Sequence, residues 1–131
     1  MPIHVILKTQ WRQYRNVLRF AKHATDKPPI FIGPGAVILI HCEAQGQTIP
    51  PRVTHAMDCV RIYPDETGET ERIWGRRWNF VIEGSKLREL AVPIPISRFG
   101  KASGKNYGQG AQKFVYVEDA DLEDLRSEGL L

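Results

Sequence analysis

Cysteine is scarce in this chain, and the patterns that mark disulfide scaffolds and metal sites are missing. Its 131 residues include two cysteines, Cys42 and Cys59, which lie far apart and form no CxxC pair. In a reducing compartment such residues are usually buried thiols. His41 and His55 lie near them, but no spacing here matches a zinc site. The sequence therefore predicts neither a metal nor a cofactor.

Long hydrophobic runs are also missing. The longest, AVILI at 36–40, is far too short to cross a bilayer, and the first residues lack the basic and then apolar layout of a secretory signal. We therefore expect a cytoplasmic protein without a membrane partner. Because 42% of the residues are hydrophobic, the chain can build one core, and residues 1–131 are predicted to form a single domain.

The small net charge of +3 conceals an uneven distribution. Residues 118–131 hold six acidic residues and one arginine, so the preceding part of the chain carries a charge of +8. A body with this positive bias attracts polyanions. The charge distribution therefore favours nucleic acid as a partner.

Hydrophobic periodicity predicts short strands with a helix near each end of the chain. The first helix is predicted over 9–23, capped by Thr9 and packed on the sheet through Trp11, Tyr14 and Leu18. Residues 97–112, rich in glycine and lysine, predict a mobile basic loop. The other predicted elements are strands at 3–7, 36–41, 56–63, 76–83 and 113–117, a polar turn at 64–70, a helical turn at 85–90 and a C-terminal helix from 118.

No catalytic motif stands out, since the chain has no nucleophile elbow, P-loop or HExxH. We therefore assign no catalytic residue and expect no enzyme activity. One alternative is a small nucleic-acid-processing enzyme, in which His41, Cys42, His55 and Asp58 would gather in space. Another is a protein-interaction adaptor that binds through the acidic C-terminal helix.

Several stretches resemble EVE and YTH domains of the PUA-like superfamily. They are IHVILKTQWRQYRNVL, GPGAVILIH, AMDCVRIYPDET, RRWNFVIEGSKLREL and NYGQGAQKFVYVEDADLEDL. The resemblance implies an α+β fold, a single small mixed β-barrel with flanking helices. It also implies a module that recognises a modified, for example methylated, or flipped base of DNA or RNA in an aromatic pocket. It leaves open whether the domain acts alone or beside a nuclease or another protein.

The resemblance also indicates which residues would form the base pocket. The base would lie against the end of the first strand, and Trp74 matches a tryptophan that forms one wall of the cage, with a half-buried hydrophobic plug as its alternative. Trp78 matches a structural position and is predicted to lie in the core. The implied pocket residues are Lys8, Thr9, Gln10, Trp74, Phe20 or His23, and Tyr107.

Phosphate contacts are predicted at four basic residues. Two of them stand beside Trp78, and two stand in the glycine-rich loop, where they would follow the backbone of a bound strand. They are Arg76, Arg77, Lys101 and Lys105.

Overall fold

The structure, a computed structural model, describes residues 3–43, 51–107 and 113–131. Within these ranges the chain forms six strands, three α-helices and one short 3₁₀ turn at Ile96–Arg98. The strands are β1 (Ile3–Gln10), β2 (Lys22–Thr25), β3 (Val37–Glu43), β4 (Arg52–Pro64), β5 (Phe80–Pro95) and β6 (Phe114–Glu118). The helices are α1 (Trp11–Phe20), α2 (Glu69–Trp74) and α3 (Asp119–Ser127). None of these helices has the length and apolar character needed to cross a bilayer.

All six strands belong to one sheet with the order β2-β5-β4-β3-β1-β6. The first strand pairs with β3 in parallel, and every other neighbouring pair is antiparallel. The sheet curls into a half-barrel and does not close, because β2 and β6 remain as its two edges. The predicted mixed α+β class is therefore correct, whereas the predicted barrel is only a half-barrel.

The curl arises mainly in the long pair β4 and β5, whose register shifts three times. Each bulge bends its strand and increases the local twist. Gly84 lies in this region, where a Cβ atom would overlap the sulfur of Met57. Glycine at this position therefore leaves room for the buried Met57 side chain.

Both faces of the sheet are buried, which explains why β1 and β3 read as unbroken apolar runs. Ile6 and Leu39 face a cluster with Leu122 of α3. Their neighbours, including Leu7 and Ile38, face a second cluster that packs against α1. The two clusters place one helix on each face.

The first helix differs from its prediction at both ends. Thr9 is fully buried in β1, so Gln10 rather than Thr9 is the N-cap residue of α1. The helix ends at Phe20, and Ala21 adopts a left-handed conformation before β2 begins. Tyr14 and Leu18 pack on the sheet as predicted, but Trp11 is 49% exposed, and Val17 provides the buried contact instead.

Three other segments also differ from their predictions. Residues 85–90, predicted as a helical turn, continue β5 because they pair with β4. The end of the predicted polar turn begins α2, since the Asp65 carboxylate accepts the first backbone N–H groups of that helix. Of the predicted mobile loop, residues 108–112 lie outside the described residues, whereas 97–107 pack against α3.

Candidate functional site

A cavity of about 200 Å³ lies where the two edges of the curled sheet face each other. Strand pairing builds it, because Leu7 pairs with Phe114 on one side and His23 pairs with Ile82 on the other. A water molecule occupies about 30 Å³, so the cavity has room for about six waters or one flat ring system. Its walls are formed by Leu7, Lys8, Gln10, Gln13, His23, Ala24, Thr25, Pro29, Trp78, Ile82, Lys113 and Phe114.

Trp78 forms an aromatic wall of this cavity and is held firmly in place. Its side chain is 7% exposed, and its backbone N–H donates to Thr70 Oγ1 at 2.8 Å. The guanidinium carbon of Arg76 lies 3.6 Å from the ring centroid, and Lys113 Nζ lies 5.5 Å from it. The indole N–H of Trp78 is buried and has no hydrogen-bond partner within the described ranges.

His23 supplies a second polar group without a partner. Its side chain is buried, and neither ring nitrogen reaches a described residue with hydrogen-bond geometry. The pKa of His23 is lowered from 6.5 to about 4, chiefly by burial and also by the charge of Lys113, and a polar contact with the Ala24 backbone opposes this shift only in part. The imidazole is therefore neutral near pH 7, with one donor and one acceptor nitrogen.

The three implied pocket residues at the end of β1 do not all face the cavity, because successive side chains of a strand point to opposite faces. Lys8 and Gln10 line the cavity, whereas Thr9 is fully buried and does not. With His23, three of the seven pocket residues implied by the resemblance lie in the cavity wall.

The other three implied aromatic residues lie elsewhere. Trp74 is half-buried at the end of α2 and does not line the cavity, and Gly75 caps that helix through its left-handed backbone. Phe20 is 42% exposed on α1, beside the Arg19 guanidinium. Tyr107 is only 4% exposed, and its hydroxyl donates to Asp121 Oδ2 at 2.5 Å, so its ring has no free face for a base.

The predicted phosphate contacts also separate into two groups. Arg76 lies beside the cavity, where it stacks on Trp78 and pairs with Asp26 at 3.1 Å. Arg77 is exposed but does not line the cavity.

The two loop lysines lie at the far end of the sheet, beside α3. Lys101 pairs with Glu128 at 3.7 Å and Lys105 pairs with Glu118 at 2.6 Å. Glu118 pairs with the beginning of β1, four residues or about 13 Å along the strand from the cavity. The predicted cluster of four phosphate-binding residues is therefore not formed around the cavity.

Lys113 and Gln13 are wall residues that sequence reasoning did not find. Lys113 stands just before β6, and its carbonyl oxygen accepts the backbone N–H of Lys8 at 2.8 Å. This contact depends on pairing between the first and last strands, which are separated by more than one hundred residues. The only local signal was a lysine immediately before an apolar strand.

A second polar cluster lies away from the cavity, between α1 and β4. The Tyr14 hydroxyl oxygen lies 2.6 Å from Thr54 Oγ1 and 2.9 Å from His55 Nδ1. Burial raises the pKa of Tyr14 and lowers the pKa of His55. Cys42 lies close enough to influence Tyr14 electrostatically.

The four residues of the enzyme alternative do not assemble into one group. His41 Nδ1 contacts the carbonyl oxygen of Arg52 at 3.0 Å, and Asp58 pairs with Arg88 at 3.3 Å. Across the described part of the chain, no three His, Cys, Asp or Glu side chains are placed to bind one metal ion. Neither cysteine forms a disulfide.

Solved structures with the same architecture include the ASCH protein from Zymomonas mobilis and two of its variants. Its crystal structure matches with a TM-score of 0.64 and 10% identity, covering 95% of this chain and 94% of that one. The serine-to-alanine and tyrosine-to-phenylalanine variants both match with a TM-score of 0.66 and 10% identity, covering 95% of this chain and 95% and 96% of theirs.

The fold is of the PUA-like type. The likeness shows that this chain shares the fold of ASCH domains, which belong to the PUA-like superfamily, while the EVE or YTH type stays a prediction. No protein-family model and no curated protein matches the chain.

Proposed function

We propose that this chain is a nucleic-acid-binding module that takes one base, extruded from its stack, into the cavity between β2 and β6. The observation that carries the proposal is the pair of unpartnered polar groups in the cavity wall, the Trp78 indole N–H and the His23 imidazole. Buried polar groups are normally hydrogen-bonded, so two residues with unpartnered polar groups in the wall of one cavity favour a polar ligand.

Shape and charge favour a nucleobase among polar ligands. The cavity holds one ring system, and the Trp78 indole offers a wall on which a flat ring packs. Lys113, which has no ion pair with a described residue, provides positive charge beside this ring, as phosphate groups require. The PUA-like fold with ASCH-type neighbours supports a nucleic-acid partner, and RNA in particular.

A methylated base would suit this cavity better than an unmodified one. The wall combines polar groups with apolar side chains such as Leu7, Ala24 and Ile82, on which an added methyl group would pack. Methylation also lowers the cost of removing an exocyclic nitrogen from water. On this proposal the module binds without turnover, and any cleavage is performed by a separate nuclease.

The three tryptophans allow a direct test by NMR. Mononucleotides and short RNA and DNA strands, each with a methylated base and with its unmodified counterpart, are titrated into the protein. We expect the indole N–H resonance of Trp78 to move while those of Trp11 and Trp74 stay in place. His23→Phe, which removes both ring nitrogens but keeps an aromatic ring, should weaken binding about tenfold.

A matched control is His55→Gln, which alters a histidine outside the cavity. It should leave the titration unchanged. If no nucleotide shifts the Trp78 resonance, or if His55→Gln weakens binding as much as His23→Phe, the base does not enter this cavity.

A second candidate function, nucleic-acid processing, is favoured by the cluster of Tyr14, Thr54 and His55. A hydroxyl group within hydrogen-bond reach of an imidazole is the arrangement that activates a nucleophile. The distances of 2.6 and 2.9 Å from the Tyr14 oxygen satisfy that geometry. Incubation with end-labelled oligonucleotides tests this candidate, since cleavage that disappears in Tyr14→Phe would favour an enzyme over a binding module.

A further inference from the structure

A groove of about 690 Å³ runs along the outer edge of β6 and adjoins the cavity. The two share Lys113 and Phe114 as wall residues. The groove is otherwise lined by Asp26, Lys27, Val115 and Tyr116. A ligand that fills the cavity can therefore continue into the groove past Lys113.

Aromatic rings stand in a row at this groove. Phe114 and Tyr116 pack edge to face with ring centroids 5.4 Å apart, and Phe31 packs against Tyr116 at the same centroid distance. The backbone N–H of Phe31 donates to the Tyr116 hydroxyl oxygen at 3.3 Å, which helps to hold the Phe31 loop in place. Phe31 is nevertheless 68% exposed, so it presents an aromatic surface to solvent that the fold itself does not use.

The charges beside these rings suit an anion. Lys27 and Lys113 are exposed, and neither forms an ion pair with the residues that the structure describes. The single acidic residue of the groove, Asp26, is already engaged, since its carboxylate pairs with Arg76 at 3.1 Å and accepts the backbone N–H of Asn79 at 3.1 Å. The groove therefore combines an aromatic platform with two available cations.

We propose that this groove binds the nucleotide next to the one in the cavity, with its base stacked on Phe31 and the connecting phosphate beside Lys113. This inference rests on the proposed function, because it extends the same site by one nucleotide. An aromatic platform beside cations is how proteins hold single-stranded nucleic acid with little sequence preference. The module thus recognises one base in the cavity and requires an unpaired neighbour.

A peptide strand added to the edge of β6 is the competing occupant, because edge strands accept such pairing. The described part of the chain favours the nucleotide, since peptide pairing would use the backbone of β6 and leave Phe31 and the two lysines without a role.

Strand length provides the test. Affinities are measured for a mononucleotide and for a three-nucleotide single strand that carries the same base, with the wild-type protein and with Phe31→Ala, Phe31→Tyr and Phe20→Ala. Phe20 is the matched control because it is an exposed ring beside Arg19 on α1, whereas Phe31 packs on Tyr116 of the groove wall. Since one stacked base is worth roughly 1–3 kcal/mol, Phe31→Ala should weaken trinucleotide binding about 5- to 150-fold.

Phe31→Ala should leave the mononucleotide affinity unchanged. Phe31→Tyr should retain most of the additional affinity that the trinucleotide has over the mononucleotide. The inference is overturned if the trinucleotide binds no more tightly than the mononucleotide, or if Phe31→Ala and Phe20→Ala have equal effects. In either case mononucleotide binding that depends on His23 would leave the proposed function standing.

Two further outcomes separate the possibilities. If neither probe binds, the inference and the proposed function fail together. If a peptide of alternating aliphatic residues binds in a way that depends on Phe31 while the trinucleotide does not, the groove is a peptide site and the nucleotide assignment is wrong.

Discussion

The two ends of the β1 and β6 pair differ in how they treat polar groups. At the end where Ile3 pairs with Glu118, the polar groups of the 97–107 segment and of α3 form hydrogen bonds with each other. Asp121 there accepts hydrogen bonds from the Ser103 side chain at 2.7 Å and from the Tyr107 hydroxyl at 2.5 Å. At the opposite end, where Leu7 pairs with Phe114, the His23 ring nitrogens and the Trp78 indole N–H have no described hydrogen-bond partner.

The basic residues follow the same division. Arg98 bonds to Asp124 at 2.9 Å and also to Glu128, and Lys101 and Lys105 are paired as well. Lys113 has no ion pair with any described residue. We call the end with Ile3 and Glu118 the closed end and the end with Leu7 and Phe114 the open end. Because unmade hydrogen bonds are costly in a folded protein, the closed end, whose polar groups are paired, is structural, and the open end is where we expect a ligand.

Replacing Trp78 should produce the largest effect at the open end. Trp78→Ala removes a 7% exposed aromatic side chain, and such a change costs about 3–5 kcal/mol of unfolding free energy. It should also abolish base binding, because the cavity loses its aromatic wall. Trp74→Ala, at a half-buried position outside that wall, should cost less and leave binding intact. Chemical denaturation and nucleotide titration of both variants test this prediction. If Trp74→Ala alone abolished binding, the roles assigned to the two tryptophans would have to be exchanged.

Replacing Asp121 should have the next largest effect, at the closed end. Asp121→Ala removes the acceptor of the Tyr107 hydroxyl and of the Ser103 hydroxyl and backbone N–H, which should cost about 3 kcal/mol. Glu123→Ala, on the exposed face of the same helix, should change stability by less than about 0.5 kcal/mol. Folded Asp121→Ala protein should still bind nucleotides. Loss of binding at a temperature where it remains folded would show that the two ends are coupled.

Acid should also weaken the closed end. Burial alone would raise the pKa of Asp121, but hydrogen bonds from Tyr107 and Ser103 outweigh it and lower the pKa. The contribution of Asp121 is therefore present above the pKa of the unfolded chain and is lost as the pH falls through the lowered value.

The sequence predicted the strands that are buried on both faces better than it predicted the site. β1 and β3 are rich in β-branched residues, and both strands form where they were expected. By contrast, residues 85–90 form a strand because β4 provides a long pairing partner, and their spacing contains no sign of that partner.

The part of the site that was predicted came from the resemblance to EVE and YTH domains. That resemblance implied Lys8, Gln10 and His23 as pocket residues, and in this chain they lie at the end of β1 and in β2. Lys113 was missed because pairing between distant strands brings it to the cavity. Trp78 was expected in the core, and its burial is as expected, but a curled sheet also turns a buried ring into a cavity wall.

Replacing His23 should alter stability mainly in acid. Because its folded-state pKa is lowered to about 4, the unfolded chain binds more protons between pH 4 and 6.5. Stability should therefore fall as the pH decreases through this window, by a total of the order of 3 kcal/mol. His23→Phe should remove most of this dependence while changing stability little at pH 7. A smaller slope should remain from His55, whose pKa burial also lowers. An unchanged slope in urea denaturation would mean that His23 is not buried as a neutral group.

The smallest expected effect is on the salt dependence of nucleic-acid binding, which should differ between lysine variants at the two ends. Each lysine that contacts a phosphate displaces counterions, so removing one such lysine reduces the slope of log affinity against log salt by about 1. Lys113→Gln should show this reduction, because Lys113 lies between the cavity and the groove without a described ion pair. Lys105→Gln is the matched control, since Lys105 already pairs with Glu118 at 2.6 Å at the far end of the strand. Its slope should equal that of the wild-type protein.

Equal reductions in the two variants would instead show that bound nucleic acid reaches both ends and displaces the acidic residues that pair with the lysines beside α3. In that case the division between an open and a closed end would describe only the free protein.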